Sequence, residues 1–106
     1  RGYAVTGRSG HVIKFPFSIR QSHDARSLIQ CIPQGKNGID WGNAYAISGQ
    51  MFDVKSANIP HLNRYVIIDD EGMEKDTIGF LANILSESSS VVPFSTRDGW
   101  IGRLAA

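Results

Sequence analysis

Four consecutive residues without a polar member, Tyr65-Val66-Ile67-Ile68, run directly into Asp69-Asp70-Glu71-Gly72-Met73-Glu74-Lys75-Asp76. A strand with no polar side must be covered on both faces, so this tetrapeptide reads as an interior strand rather than as part of a half-solvated sheet. A helix follows it. From about Met73 onward, Thr77, Ile78, Phe80, Leu81, Ile84 and Leu85 fall on a broad apolar face that ends at Ser86 and the serines after it. The five carboxylates between strand and helix, Asp69, Asp70, Glu71, Glu74 and Asp76, are oxygen ligands of the kind a hard cation takes. They lack the alternate-position spacing and the terminal glutamate of a calcium loop. Acids at a helix start also offset its exposed N–H groups and positive dipole end. That is the reading adopted here, with no metal assigned.

Upstream, Ile13, Phe15, Phe17 and Ile19 alternate with Lys14, Pro16, Ser18 and Arg20, the period of a half-buried strand. Pro16 cannot donate to a ladder, which places this strand at an edge. Tyr3-Ala4-Val5-Thr6 precedes it across Gly7-Arg8-Ser9-Gly10, so the two read as a hairpin. Ser22 is a helix cap for a stripe of Ala25, Leu28, Ile29 and Ile32 at i, i+3, i+4 and i+7, closed by Pro33 and Gly35. Residues 39–55 alternate through Ile39, Trp41, Tyr45 and Ile47, then Met51-Phe52-Asp53-Val54. The spacing predicts two strands turning at Ser48-Gly49-Gln50. Asp98-Gly99 predicts a final hairpin joining 91–96 to 100–104. The order is ββα-βββ-α-ββ, an α+β fold in one domain over residues 1–106. Its sheet is mostly antiparallel or mixed, with two helices on one face. Only two helices leave the second face of Tyr65–Ile68 to loops, to a curled sheet or to another subunit, so a homodimer is expected.

Composition narrows the function classes. The 106 residues carry 42% hydrophobic and 20% charged side chains, enough to bury about two-thirds of the unfolded surface. No apolar run approaches the roughly 18 residues of a membrane span. Nothing at the N-terminus reads as a signal peptide. With Arg1 at its head the chain reads as trimmed, and the expected compartment is the cytoplasm. One cysteine, Cys31, rules out an internal disulfide framework and any zinc site built from several thiolates. Net charge is +1, but residues 1–64 hold eight Lys/Arg against three Asp, and residues 65–106 hold three against seven acids. Without an overall basic excess, nucleic-acid binding lacks its usual electrostatic drive. The asymmetry suits contacts between chains.

Asp40 and, after twelve intervening residues, Asp53-Val54-Lys55 carry the sharpest catalytic pattern. It resembles the metal-dependent nucleases of the PD-(D/E)xK type, in which two acids on adjacent strands hold a divalent ion and a nearby lysine assists. The resemblance implies a Mg²⁺-dependent phosphodiesterase with Asp40, Asp53 and Lys55 at its centre, and only under that reading is nucleic acid a partner. Ile39 stands where that family has proline, and Ser56-Ala57-Asn58-Ile59-Pro60 stands where it has a helix.

Other chemistries fare worse. Ser22-His23-Asp24 are immediate neighbours and cannot relay a proton among themselves. His11, His23 and His61 show no ligand spacing. Cys31, at the end of its expected helix, lacks the activation a nucleophile needs. Neither GxGxxG nor a P-loop occurs, so no cofactor is assigned. Trp41, Tyr45, Phe94 and Trp100 are candidates to wall a hollow for an apolar or planar ligand. The leading expectation is therefore a small non-enzymatic module that binds a ligand or partner as a homodimer, with the phosphodiesterase as its alternative.

Overall fold

The computed structural model describes residues 2–20, 25–34 and 38–105, with side chains up to residue 102. Ser22-His23-Asp24 and the loop residues 35–37 lie outside the described residues.

The class is α+β with a mixed sheet. Tyr3–Thr6 (β1) and Val12–Phe15 (β2) form the expected antiparallel hairpin, with Val5 opposite Ile13. At Pro16 the chain leaves that ribbon, and Phe17–Arg20 (β3) joins a second sheet of four strands. Its order is β3, Arg26–Ile32 (β4), Leu62–Ile68 (β5) and Ser90–Pro93 (β6). β3 is an edge strand antiparallel to β4, while β4, β5 and β6 run parallel. β5 is thus interior, as its lack of a polar face requires, with Cys31 in register with Ile67 and Ile68 with Pro93.

Besides residues 11–20, read as one strand but split at Pro16 between two sheets, three segments differ from their sequence reading. Residues 26–32 are a strand, not a helix. The stripe Leu28, Ile29 and Ile32 is one that a helix and a doubly covered strand share, because a strand buried on both faces has no alternation to show. Leu28 and Ile32 belong to one core and Ile29 to the other. Residues 41–56 are a single helix, Trp41–Ser56 (α1), not two strands. Ala44, Ile47, Met51 and Val54 are its buried residues, spaced by three and four, and the Asp40 carboxylate caps its start by accepting from Asn43 N–H at 3.1 Å. The third difference follows β6. A 3-10 turn, Phe94–Thr96, leads into the helix Arg97–Ala105 (α3), so Asp98-Gly99 sits in a first helical turn instead of a hairpin.

Lys75–Leu85 (α2) is the helix expected after the acidic run. With α1 it covers one face of the sheet. Ala44, Ile47, Met51, Val54, Leu81 and Leu85 pack there with Leu28, Ile32, Val66 and Ile68, and the hairpin adds Val5, Ile13 and Phe15. The other face, expected to lack a helix, is covered by α3. Trp100 packs with Ile29 against Ile19, Tyr65, Ile67 and Val92, and its indole N–H donates to the Pro93 carbonyl at 2.8 Å. A sheet face with that many apolar side chains demands a partner, and α3 supplies one. Among the described residues no helix is long and apolar enough to cross a membrane.

Candidate functional site

The three residues of the nuclease-like pattern share one helix. Asp40 caps α1 and Asp53 lies thirteen residues along it, about 20 Å at ~1.5 Å per residue, too far to hold one ion together. Asp53 and Lys55, expected on one strand face, are instead turned apart by about 200° around the helix. Each is occupied elsewhere. Lys55 Nζ donates to the Glu87 carbonyl at 2.6 Å, and beside it Arg64 Nε donates to the Ser88 carbonyl at 2.6 Å. Both cations thereby satisfy carbonyls left over beyond the end of α2. Burial pulls the Arg64 guanidinium below its ordinary value. Among the described residues no group of His, Cys, Asp or Glu is arranged to hold a metal ion.

Asp53 latches the hairpin to α1. Its carboxylate accepts from Ser9 N–H at 2.8 Å and from the Ser9 hydroxyl at 2.6 Å, and its carbonyl accepts from Arg8 N–H at 3.2 Å. His11 Nδ1 lies 2.9 Å from the same hydroxyl. Because the serine proton is committed to Asp53, this is not a nucleophile primed by histidine. Gly7 is required here, since a Cβ would overlap the Asp53 carboxylate.

The hydrogen bonds from Ser9 hold the Asp53 carboxyl below the usual carboxylate range, and those from Ser95 do the same for Asp70. Groups depressed in the folded chain add stability above their unfolded value, near pH 4, and lose it as pH falls through the folded value. Thermal midpoints are accordingly expected to hold steady from neutral pH to about 5 and to drop below about 4. The pair Asp53→Asn with Asp70→Asn should flatten that drop, and an acid decline parallel to the parent's would refute the assignment.

The four aromatic candidates do not share a hollow. Trp41 and Tyr45 stand on the exposed side of α1, Trp100 is buried under the sheet, and Phe94 borders a cavity. That cavity, about 310 Å³, lies at the carboxyl ends of the parallel strands and is lined by Cys31, Ile32, Pro33, Ile67, Asp69, Glu71 and Phe94. Open sheets of parallel strands hold ligands at this edge, where strand ends and helix starts meet.

Its rim is tied together across all three strands. Gln34, after β4, donates through Nε2 to the carbonyls of Asp69, at 3.1 Å, and Glu71. Asp70, after β5, accepts from Ser95 N–H at 2.9 Å and from the Ser95 hydroxyl at 2.5 Å, beyond β6. Gly72, at φ 73°, lets the acidic loop turn back into α2. Of the acidic run, Asp70 is therefore structural. Asp69 and Glu71 line the cavity, and neither carboxylate takes a hydrogen bond or ion pair among the described residues. Burial pushes the Cys31 thiol up, so it stays protonated and adds to the apolar wall. The Arg97 guanidinium stacks 4.5 Å from the centre of the Phe94 ring.

A larger groove of about 590 Å³ runs between hairpin and α1, lined by His11, Lys14, Gln50 and Asp53 among others, but its carboxylate is already committed to Ser9. The strand-end hollow is the stronger candidate because, among the described residues, its two acids are not so committed. Gln34 and Ser95 were invisible to sequence reading, since a lone glutamine after a strand and a serine in a turn carry no spacing signal. No family model, curated protein or solved structure matches the chain.

Proposed function

We propose that the chain is a non-enzymatic binding module whose ligand is a small amphipathic cation. An apolar or planar body fits against Cys31, Ile67 and Phe94, while an ammonium or amidinium end meets Asp69 and Glu71. The observation that carries this reading is an apolar hollow with two carboxylates on its wall that no described residue pairs. Burying an organic cation's hydrocarbon part and pairing its charge both require that combination. Phe94 adds an aromatic face of the kind that already attracts Arg97. The hollow supports binding better than turnover, because Cys31 is not activated and Asp70, held well ionised, is a weak base. The functional unit in this reading is a pair of identical chains, supported by the exposed aromatic side chains of the helical layer and not by the second face of β5, which α3 covers, and a thiol that pairs with no other cysteine suits a reducing, cytoplasmic setting.

Benzamidine and benzoate serve as matched probes, alike in ring and opposite in charge. Benzamidine should produce saturable amide shifts at Cys31, Ile67 and Phe94, and Asp69→Asn with Glu71→Gln should weaken it by about tenfold, near 1.4 kcal/mol. Benzoate should leave the spectrum unchanged. Equal responses to both probes, or none to either, would overturn the proposal.

A further inference from the structure

Helix α1 has two apolar faces, and only one of them is buried. Between residues 41 and 52 it carries no charged side chain at all. Ala44, Ile47 and Met51 point into the core, while Trp41, Tyr45 and Phe52 are 38%, 61% and 59% exposed. At about 100° per residue, positions 41, 45 and 52 fall within some 40° of one another, forming a single aromatic stripe along the outside of the helix. Ser48 and Lys55 mark the side of α1 that faces α2, through hydrogen bonds to the Ile84 and Glu87 carbonyls, and the stripe lies next to that side. On α2, Phe80 is 63% exposed and one helical turn before Ile84. The outer surface of the helical layer is thus aromatic along the seam between α1 and α2.

We infer that a second copy of this chain docks on that seam, with the two α1 helices antiparallel about a twofold axis. The inference rests on the paired-chain part of the reading above and supplies its surface. Two arguments select a second copy as occupant. The first is charge. The α1 part of this surface, residues 41 to 52, carries no ionised group and meets its own copy at no like-charge cost there, and the antiparallel arrangement sets the Asp40 end of each α1 opposite the Lys55 end of the other, with helix dipoles opposed. The second is area. At roughly 200 Å² for a whole aromatic side chain, the four rings leave on the order of 400 Å² uncovered. That is about half of the ~800 Å² that each partner contributes to a standard interface. Exposed Gly42, Ala46 and Gly49 flank the stripe on its other side, toward the hairpin, where their small size lets the stripe of a second copy approach the backbone of α1.

Sedimentation velocity across the micromolar range tests it, with far-UV circular dichroism confirming that each variant is folded. The parent should sediment as twice the 11.6 kDa of one chain. Tyr45→Glu with Phe52→Glu should return it to a single chain, and Phe17→Glu, exposed on the opposite face of the sheet, should leave the pair intact. A parent of 11.6 kDa throughout removes the pairing altogether. A pair that survives the double variant but dissolves with Phe17→Glu removes only this surface.

Discussion

Replacing Trp100 with alanine is expected to destabilise the chain by about 3–5 kcal/mol, the range for emptying a buried tryptophan site. Trp100 is 7% exposed and is the buried side chain through which α3 covers the second face of the sheet. Its loss takes from Ile29 the large side chain that α3 packs on it among the described residues, and the Pro93 carbonyl loses its 2.8 Å donor. Because α3 follows an edge strand, it can undock without unfolding the layer formed by α1 and α2. Two readouts separate these events. Urea unfolding should show the lowered midpoint, and a dye that binds exposed apolar surface should brighten before the main transition. The chain has two tryptophans, so at dilutions where each chain is alone the variant's emission comes from half-exposed Trp41 and should shift to the red. An unchanged midpoint together with an unchanged dye signal would mean that α3 does not cover this face.

Trp100 also marks the limit of what the sequence discloses. A tryptophan two residues after Asp98 and one after Gly99 looks like the first residue of a returning strand, because local turn chemistry is the strongest signal in that stretch. The structure answers a non-local demand instead: the Ile29 and Ile67 face needs cover, and among the described residues Trp100 of the C-terminal helix supplies it. The same competition decides residues 41–56. Their period-two pattern through Trp41 and Tyr45 comes from the aromatic stripe outside α1, whereas the true core stripe of Ala44, Ile47, Met51 and Val54 overlaps it. A helix apolar on two sides shows no clean period of its own. Residues 26–32 fail for the opposite reason, since a strand buried on both faces offers no alternation. What could be read was the element whose demands are local: the hairpin set by Gly7 to Gly10, interior β5, and α2 with its acidic start. At the strand-end hollow, Phe94 and the acids are visible individually. Their convergence is not, because it takes the parallel pairing of β4, β5 and β6 to bring Phe94 beside Asp69 and Glu71 and beside Cys31, which is more than sixty positions earlier.

Phe80 and Leu81 are adjacent, equally apolar in sequence and opposite in consequence. Leu81 has no exposed surface and packs in the core formed by α1, α2 and the sheet. Leu81→Ala is expected to lower stability by about 3 kcal/mol, within the 2–5 kcal/mol span for buried leucines, because tightly packed neighbours collapse only partly into the space left. Phe80→Ala removes a larger side chain. It should nevertheless change the stability of a single chain by no more than about 0.5 kcal/mol, since the ring loses little that water does not replace. Its effect should appear in sedimentation, as weaker pairing. Urea midpoints measured at dilution, where each chain is alone, separate the two contributions, because pairing adds stability only by mass action. If Phe80→Ala proved the costlier substitution under those conditions, α2 would have to be rotated about its axis from the orientation seen here. The aromatic seam and the core that opposes it would then exchange places.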